Sequence, residues 1–231
     1  MDINLPRPRV AVYGGSFNPI HNGHLELAQH ILDYGLADSV MFMPTPFPAH
    51  KDKNMLASYE DRCNMILNAI ESITHKSCRL DEPGIMTCST LESRLPAPSY
   101  TLQTLDALSN EMLDKEFSWI IGADELNQLH TWEPEPVRLV RNYRFITFLR
   151  VGVSVDLTLL NHHWPGWLCR RLLDGVVFDA GITEISSSMI RNYIKEHLGV
   201  EEYMMPKQVF EYIQQHNLYD NHKHEQGGNN A

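Results

Sequence analysis

The sequence predicts an α/β fold: a doubly wound parallel sheet with helices on both faces and a small helical segment toward the C-terminal end. Three observations carry this. Short apolar, β-branched runs alternate along the chain with segments of helical periodicity. Most of these runs stop at Gly or Pro, as buried strands do. The polar residues best suited to chemistry follow the strands, which is where open parallel sheets hold their ligands.

The elements follow in order. Residues 9–13, Arg-Val-Ala-Val-Tyr, form a buried strand that ends at Gly14-Gly15. Leu25, Ala28, Ile31 and Leu32 mark a helix ending near Gly35, a natural C-terminal cap. Residues 40–43 are a second strand, stopped by Pro44. The Pro-rich loop 44–51 that follows excludes helix and central strand. Ser58 to Asp61 resembles a capping box, and Met65, Ile66, Ala69, Ile70 and Ile73 continue it as a helical stripe. Residues 77–89 read as short strands, and Thr101 as the cap of a helix carrying Leu102, Leu105 and Leu108. Residues 117–121 are a strand ending at Gly122, 137–143 a helix and 145–149 a strand. Residues 151–173 carry no clear pattern. Residues 176–178 give a last strand, and 187–197 and 206–215 read as helices. One domain is expected over residues 1–219, with a polar, disordered tail over 220–231.

Composition narrows the functional classes. With 231 residues and 43% hydrophobic content the chain can fill a real core. The N-terminal residues lack a basic segment followed by an apolar run, and no stretch approaches a membrane span, so a cytoplasmic protein without membrane partners is expected. Cys63, Cys78, Cys88 and Cys169 form no C-x-x-C and no zinc spacing, so reduced, mostly buried thiols are expected and no protein-held metal. The formal net charge of −10 argues against a nucleic-acid partner, and any anion site must draw on local charge and helix N-termini. Homo-oligomerisation is left open.

The segment from Gly14 to His24, Gly-Gly-Ser-Phe-Asn-Pro-Ile-His-Asn-Gly-His, is the strongest chemical signal. Its glycines end a strand and let an anion approach the main chain. His21 and His24 are three apart, so at a helix start they share a face near the positive end of the helix dipole. Two imidazoles there can hydrogen-bond a polyphosphate. Without this context His162, His163, His222 and His224 read as surface loop and tail.

The run Gly15-Ser16-Phe17-Asn18-Pro19-x-His21-x-Gly23-His24 resembles the nucleotidyltransferase superfamily signature, a variant of the HIGH motif. Residues 185–191, Ile-Ser-Ser-Ser-x-Ile-Arg, look like that superfamily's second phosphate-binding motif. Residues 48–51 (Pro-Ala-His-Lys), 98–101 (Pro-Ser-Tyr-Thr), 121–124 (Ile-Gly-Ala-Asp), Thr131-Trp132 and 216–219 (His-Asn-Leu-Tyr) resemble bacterial nicotinate-nucleotide adenylyltransferase. The resemblance runs from about Val10 to Tyr219 and is weakest over 151–173.

The resemblance implies a Rossmann-like fold and AMP transfer from ATP to nicotinate mononucleotide with Mg²⁺ bound to ATP, giving deamido-NAD and pyrophosphate. It implies that His21, His24, Lys51 and Arg191 act on the phosphates. Gly14, Gly15, Ser16, Phe17, Gly122, Asp124, Ser187 and Ser188 would hold ATP, and Tyr100, Thr101 and Trp132 would frame the mononucleotide. The chain departs from the family at three positions. Ser16 and Asn18 stand where Thr and Asp are frequent, and Glu133 stands where an aromatic often follows the Trp. Glu133 is expected to face solvent. Other phosphate acceptors, nicotinamide mononucleotide or phosphopantetheine, remain alternatives, as does a non-catalytic nucleotide sensor. A tRNA synthetase is disfavoured by the short, acidic chain and by the lack of a Lys-rich second signature.

Overall fold

The computed structural model describes residues 6–48, 56–74, 86–149, 152–178 and 185–220. Six parallel strands form one sheet in the order β3-β2-β1-β4-β5-β6. They are β1 (Arg9–Gly15), β2 (Ser39–Pro44), β3 (Met86–Cys88), β4 (Glu116–Gly122), β5 (Arg144–Phe148) and β6 (Val176–Val177). Strand order reverses beside β1, whose neighbours are β2 and β4. This is the doubly wound, Rossmann-like arrangement, with a switch point between β1 and β4.

Alternation along the strands explains the two apolar layers. Val10, Val12, Trp119, Ile121 and Phe145 enter one cluster, while Ala11, Ile120 and Ile146, at the intervening positions, enter the other. The helices α1 (Asn22–Asp33), α2 (Tyr59–Thr74), α8 (Ser187–Lys195) and α9 (Lys207–Gln215) contribute to the face holding Ala11. The opposite face packs α3 (Thr101–Glu111), α4 (Ala123–Gln128), α5 (Pro136–Asn142), α6 (Leu157–His163) and α7 (Gly166–Leu173).

The local signals mostly do what the sequence led us to expect. Gly35 has φ of 61°, and Leu36 N–H donates to the Ile31 carbonyl at 2.9 Å, closing α1 with a left-handed cap. Ser58 Oγ accepts from the Asp61 N–H at 3.0 Å and donates to the Asp61 carboxylate at 2.6 Å, at the entry to α2. Two expectations are corrected. Thr101 is the first helical residue of α3 and does not cap it. The capping position belongs to Tyr100, whose backbone is extended and whose side chain makes no cap hydrogen bond. Residues 152–173, without a clear pattern in the sequence, hold α6 and α7, and Asp156 caps α6 by accepting from the N–H groups of Thr158 and Leu159. His162 and His163 therefore end a helix and do not lie in a loop. Of 77–89 the described part is β3 and its neighbours. Lys51, Cys78, His222 and His224 lie outside the described residues.

Gly14 has a reason of its own. A Cβ there would run into the indole of Trp119 on the neighbouring strand β4. We expect Gly14→Ala to destabilise the fold by about 1–3 kcal/mol through overpacking. Thermal unfolding would read this, and Trp119→Phe in the same chain should recover part of the loss.

Candidate active site

The carboxyl end of β1 turns sharply at Phe17, whose φ of 44° lies in the left-handed region that bulky side chains seldom adopt. Packing and hydrogen bonds hold it there. The Phe17 ring is 2% exposed and sits edge-on to Tyr13, His24 and Phe42 at centroid distances of 5.4, 5.1 and 5.5 Å. The carbonyl before it, of Ser16, accepts from Arg62 at 2.8 Å. The carbonyl after it, of Asn18, accepts from Arg191 at 2.7 Å. The turn is thus pinned on both sides by guanidinium groups from α2 and α8.

Arg62 was not singled out in the sequence. It is 0% exposed, and besides Ser16 it donates to the carbonyls of Thr45 at 2.9 Å, Ala57 at 3.2 Å and Pro46 at 3.4 Å. Burial lowers its pKa below the usual arginine value, yet a guanidinium keeps its charge. Among the described residues no carboxylate pairs with it. The charge therefore lies beneath the loop, faced by backbone carbonyl dipoles and by the Tyr59 ring, 5.5 Å from its guanidinium carbon, and it adds positive potential where β1 and β2 end. A signal existed, because the stripe Met65, Ile66 and Ala69 extended back by one turn lands on Arg62.

Asn18 is a second junction and is 2% exposed. Its amide oxygen accepts from the Ala57 N–H at 3.0 Å and from the Tyr219 hydroxyl at 2.7 Å. An amide takes both bonds without introducing a buried negative charge, which accounts for Asn at this position. Burial raises the Tyr219 pKa, so the hydroxyl remains a donor.

His21 is the N-cap residue of α1, and the rings of His21 and His24 stack at 3.7 Å. His24 Nδ1 accepts from the His21 backbone N–H at 3.2 Å. That bond assigns the proton of a neutral ring to Nε2, the nitrogen that can donate to an anion.

The second motif docks directly on this loop. Ser186 caps α8 by accepting from the Met189 N–H at 3.1 Å. Ser187 Oγ donates to the Pro19 carbonyl at 2.8 Å, and Arg191 also reaches Ser188 Oγ at 3.1 Å. The Ser187 hydroxyl proton is committed to the protein, so what Ser187 offers an anion is its backbone N–H at a helix start. Arg191 Nε is buried with no hydrogen-bond partner among the described residues.

The remaining expected site residues lie elsewhere on the sheet edge. Gly122 ends β4 and is buried, and its N–H donates to Glu125 at 2.9 Å. Asp124 is exposed in the first turn of α4. Ser16 is half-buried. Gly15 directly precedes the turn, and a Cβ there would crowd the Phe17 ring at 3.1 Å. Tyr100 and Thr101 start α3, half-buried. Trp132 packs partly against the cluster of the α3 face. Glu133 is exposed, as expected. No hydrogen bond or ring contact among the described residues joins Trp132 to Tyr100 or Thr101. Among the described residues no three His, Cys, Asp or Glu side chains converge as a metal site.

The cytidylyltransferase-like family model matches residues 12–193, from β1 through Tyr193 of α8. A "probable nicotinate-nucleotide adenylyltransferase" of Flavobacterium johnsoniae is 33% identical over 211 residues, covering 91% of this chain and 98% of the relative. The chain belongs to the cytidylyltransferase-like family, among its nicotinate-nucleotide adenylyltransferases. A relative with the same name from Lactiplantibacillus plantarum is 34% identical over 218 residues, 94% of this chain and 90% of its own length. The fold also matches a Plasmodium falciparum nicotinic acid mononucleotide adenylyltransferase complexed with APC. That match has a TM-score of 0.68 and 20% identity, covering 92% of this chain and 97% of the other. This adenylyltransferase, like those relatives, is an enzyme of the nucleotidyltransferase class. No helix among its described residues is long and apolar enough to cross a membrane.

The Arg62 clamp has a measurable consequence. Arg62→Lys replaces a fork of donors by a single ammonium with three N–H groups and leaves at least one of the four carbonyls without a donor. We expect a loss of about 1–3 kcal/mol in urea unfolding. An unchanged midpoint would show that the carbonyls find other donors.

Proposed function

We propose that the enzyme joins ATP to nicotinate mononucleotide, giving deamido-NAD and pyrophosphate, by one direct displacement. One observation carries the reading: the two phosphate-type motifs interlock, with Ser187 on Pro19 and Arg191 on Asn18, beside the stacked His21 and His24. Family membership and the exposed Glu133, whose charge solvent screens, support nicotinate mononucleotide as acceptor.

The acceptor phosphate has a second pKa of about 6 and is largely anionic at neutral pH, so no strong base is required. One of its oxygens attacks the α-phosphorus of ATP. The new P–O bond forms as the bond from the α-phosphorus to the bridging oxygen breaks, and pyrophosphate leaves with that electron pair. Charge and alignment are what the protein must supply.

In this reading His21, His24, Lys51 and Arg191 stabilise the triphosphate and the departing charge. Gly14, Gly15, Ser16 and Phe17 form the phosphate-side turn, with Gly14 serving through its packing on Trp119. Ser187 and Ser188 offer amides at the start of α8, while Gly122 and Asp124 lie on the adenosine side. Tyr100, Thr101 and Trp132 bound the pyridine of the acceptor. A Mg²⁺ arriving with ATP would neutralise part of the phosphate charge beside the charge that His21, His24, Lys51 and Arg191 would supply. Mg²⁺ takes phosphates and waters more readily than a dedicated protein cage.

Pyrophosphate release with ATP and each candidate acceptor tests the assignment. Nicotinate mononucleotide should give the highest kcat/KM, ahead of nicotinamide mononucleotide, and best turnover with phosphopantetheine would overturn the reading. His24→Ala should lower kcat by roughly 100-fold or more through lost transition-state electrostatics, with the protein still folded although the lost cap bond and ring contacts lower its melting temperature. Near-normal turnover in that variant would remove His24 from the chemistry.

A further inference from the structure

Glu92 is a buried ionisable group that the proposed displacement does not use. It lies in the 3₁₀ turn Leu91–Arg94 after β3 and is 6% exposed. Thr104 Oγ1 donates to one carboxylate oxygen at 2.9 Å, and Ser99 Oγ donates to the other at 3.3 Å. Among the described residues no Lys, Arg or His pairs with it. Desolvation pushes its carboxyl above the usual glutamate range, so the buried carboxylate opposes folding at neutral pH. An apolar side chain of similar size would avoid that penalty. Stability alone gives no reason for a carboxylate here.

Both hydroxyls flank the start of α3. Ser99 and Thr104 bracket Tyr100 and Thr101, the proposed acceptor wall.

We propose that Glu92 is a positioning residue for the acceptor: through Ser99 and Thr104 it fixes the Tyr100–Thr101 turn. This rests on the reading of the enzyme as a mononucleotide adenylyltransferase. Glu92 acts through its neighbours and does not touch the reacting atoms.

The test is steady-state kinetics of pyrophosphate release by the full-length chain, with ATP and nicotinate mononucleotide varied in turn, alongside thermal unfolding. Glu92→Leu should raise the KM for the mononucleotide roughly tenfold, the equivalent of about one lost hydrogen bond, with the KM for ATP unchanged. Glu92→Gln, which keeps the shape and can still bond rotatable hydroxyls, should restore most of the acceptor affinity. Ser99→Ala, at a half-buried position, should shift the same KM in the same direction and serves if Glu92→Leu does not fold. A lowered melting temperature with both KM values unchanged would make Glu92 merely structural. Parallel changes in both KM values would overturn the acceptor-side assignment, and Gln behaving like Leu would overturn positioning by hydrogen bonds. A wild-type enzyme inert toward nicotinate mononucleotide overturns the functional reading and this inference with it. An active wild type with unaltered variants overturns this inference alone.

Discussion

The peptide turn at Phe17 is the constraint on which the rest of the site depends. Its left-handed backbone persists because Arg62 holds the carbonyl before it and Arg191 the carbonyl after it. Each arginine also anchors something else. Arg62 carries the loop after β2, and Arg191 brings the start of α8 to the same place. Without the turn the helical dipoles of α1 and α8 would not address a common volume. The site is therefore a backbone conformation first and a set of side chains second.

An acidic chain can still hold positive potential in one place. The surface carries the negative balance, while the local field comes from a buried guanidinium, a second arginine at the rim and two helix starts. Buried charge is less screened by salt and solvent than the same charge outside. A few groups can then outweigh a net charge of −10 spread over the molecule.

Much of the architecture was legible because strands and helices here obey simple periodicities. Residues 9–13 and 117–121 read as strands from their apolar runs and terminal glycines, and both are strands. Residues 151–173 did not read, since α6 and α7 are short and rely on Asp156 and tertiary packing more than on a long apolar stripe. The two motifs that interlock were visible as strings, but their mutual hydrogen bonds were not. Gly14 was read as an opening for ligand, whereas its neighbour Trp119 supplies a steric reason that no local pattern encodes. Arg62 is hidden because arginine is usually exposed, and Glu92 because the burial of a carboxylate leaves no mark in the local pattern. What escapes a sequence reading here is polar groups buried by tertiary contacts.

The bond from Tyr219 to Asn18 joins residues 201 positions apart. A bond of that span ties the first loop to a turn that must find it across the whole sheet, and contacts of such long range slow folding. The buried amide oxygen is therefore completed only by a chain that has already folded around it.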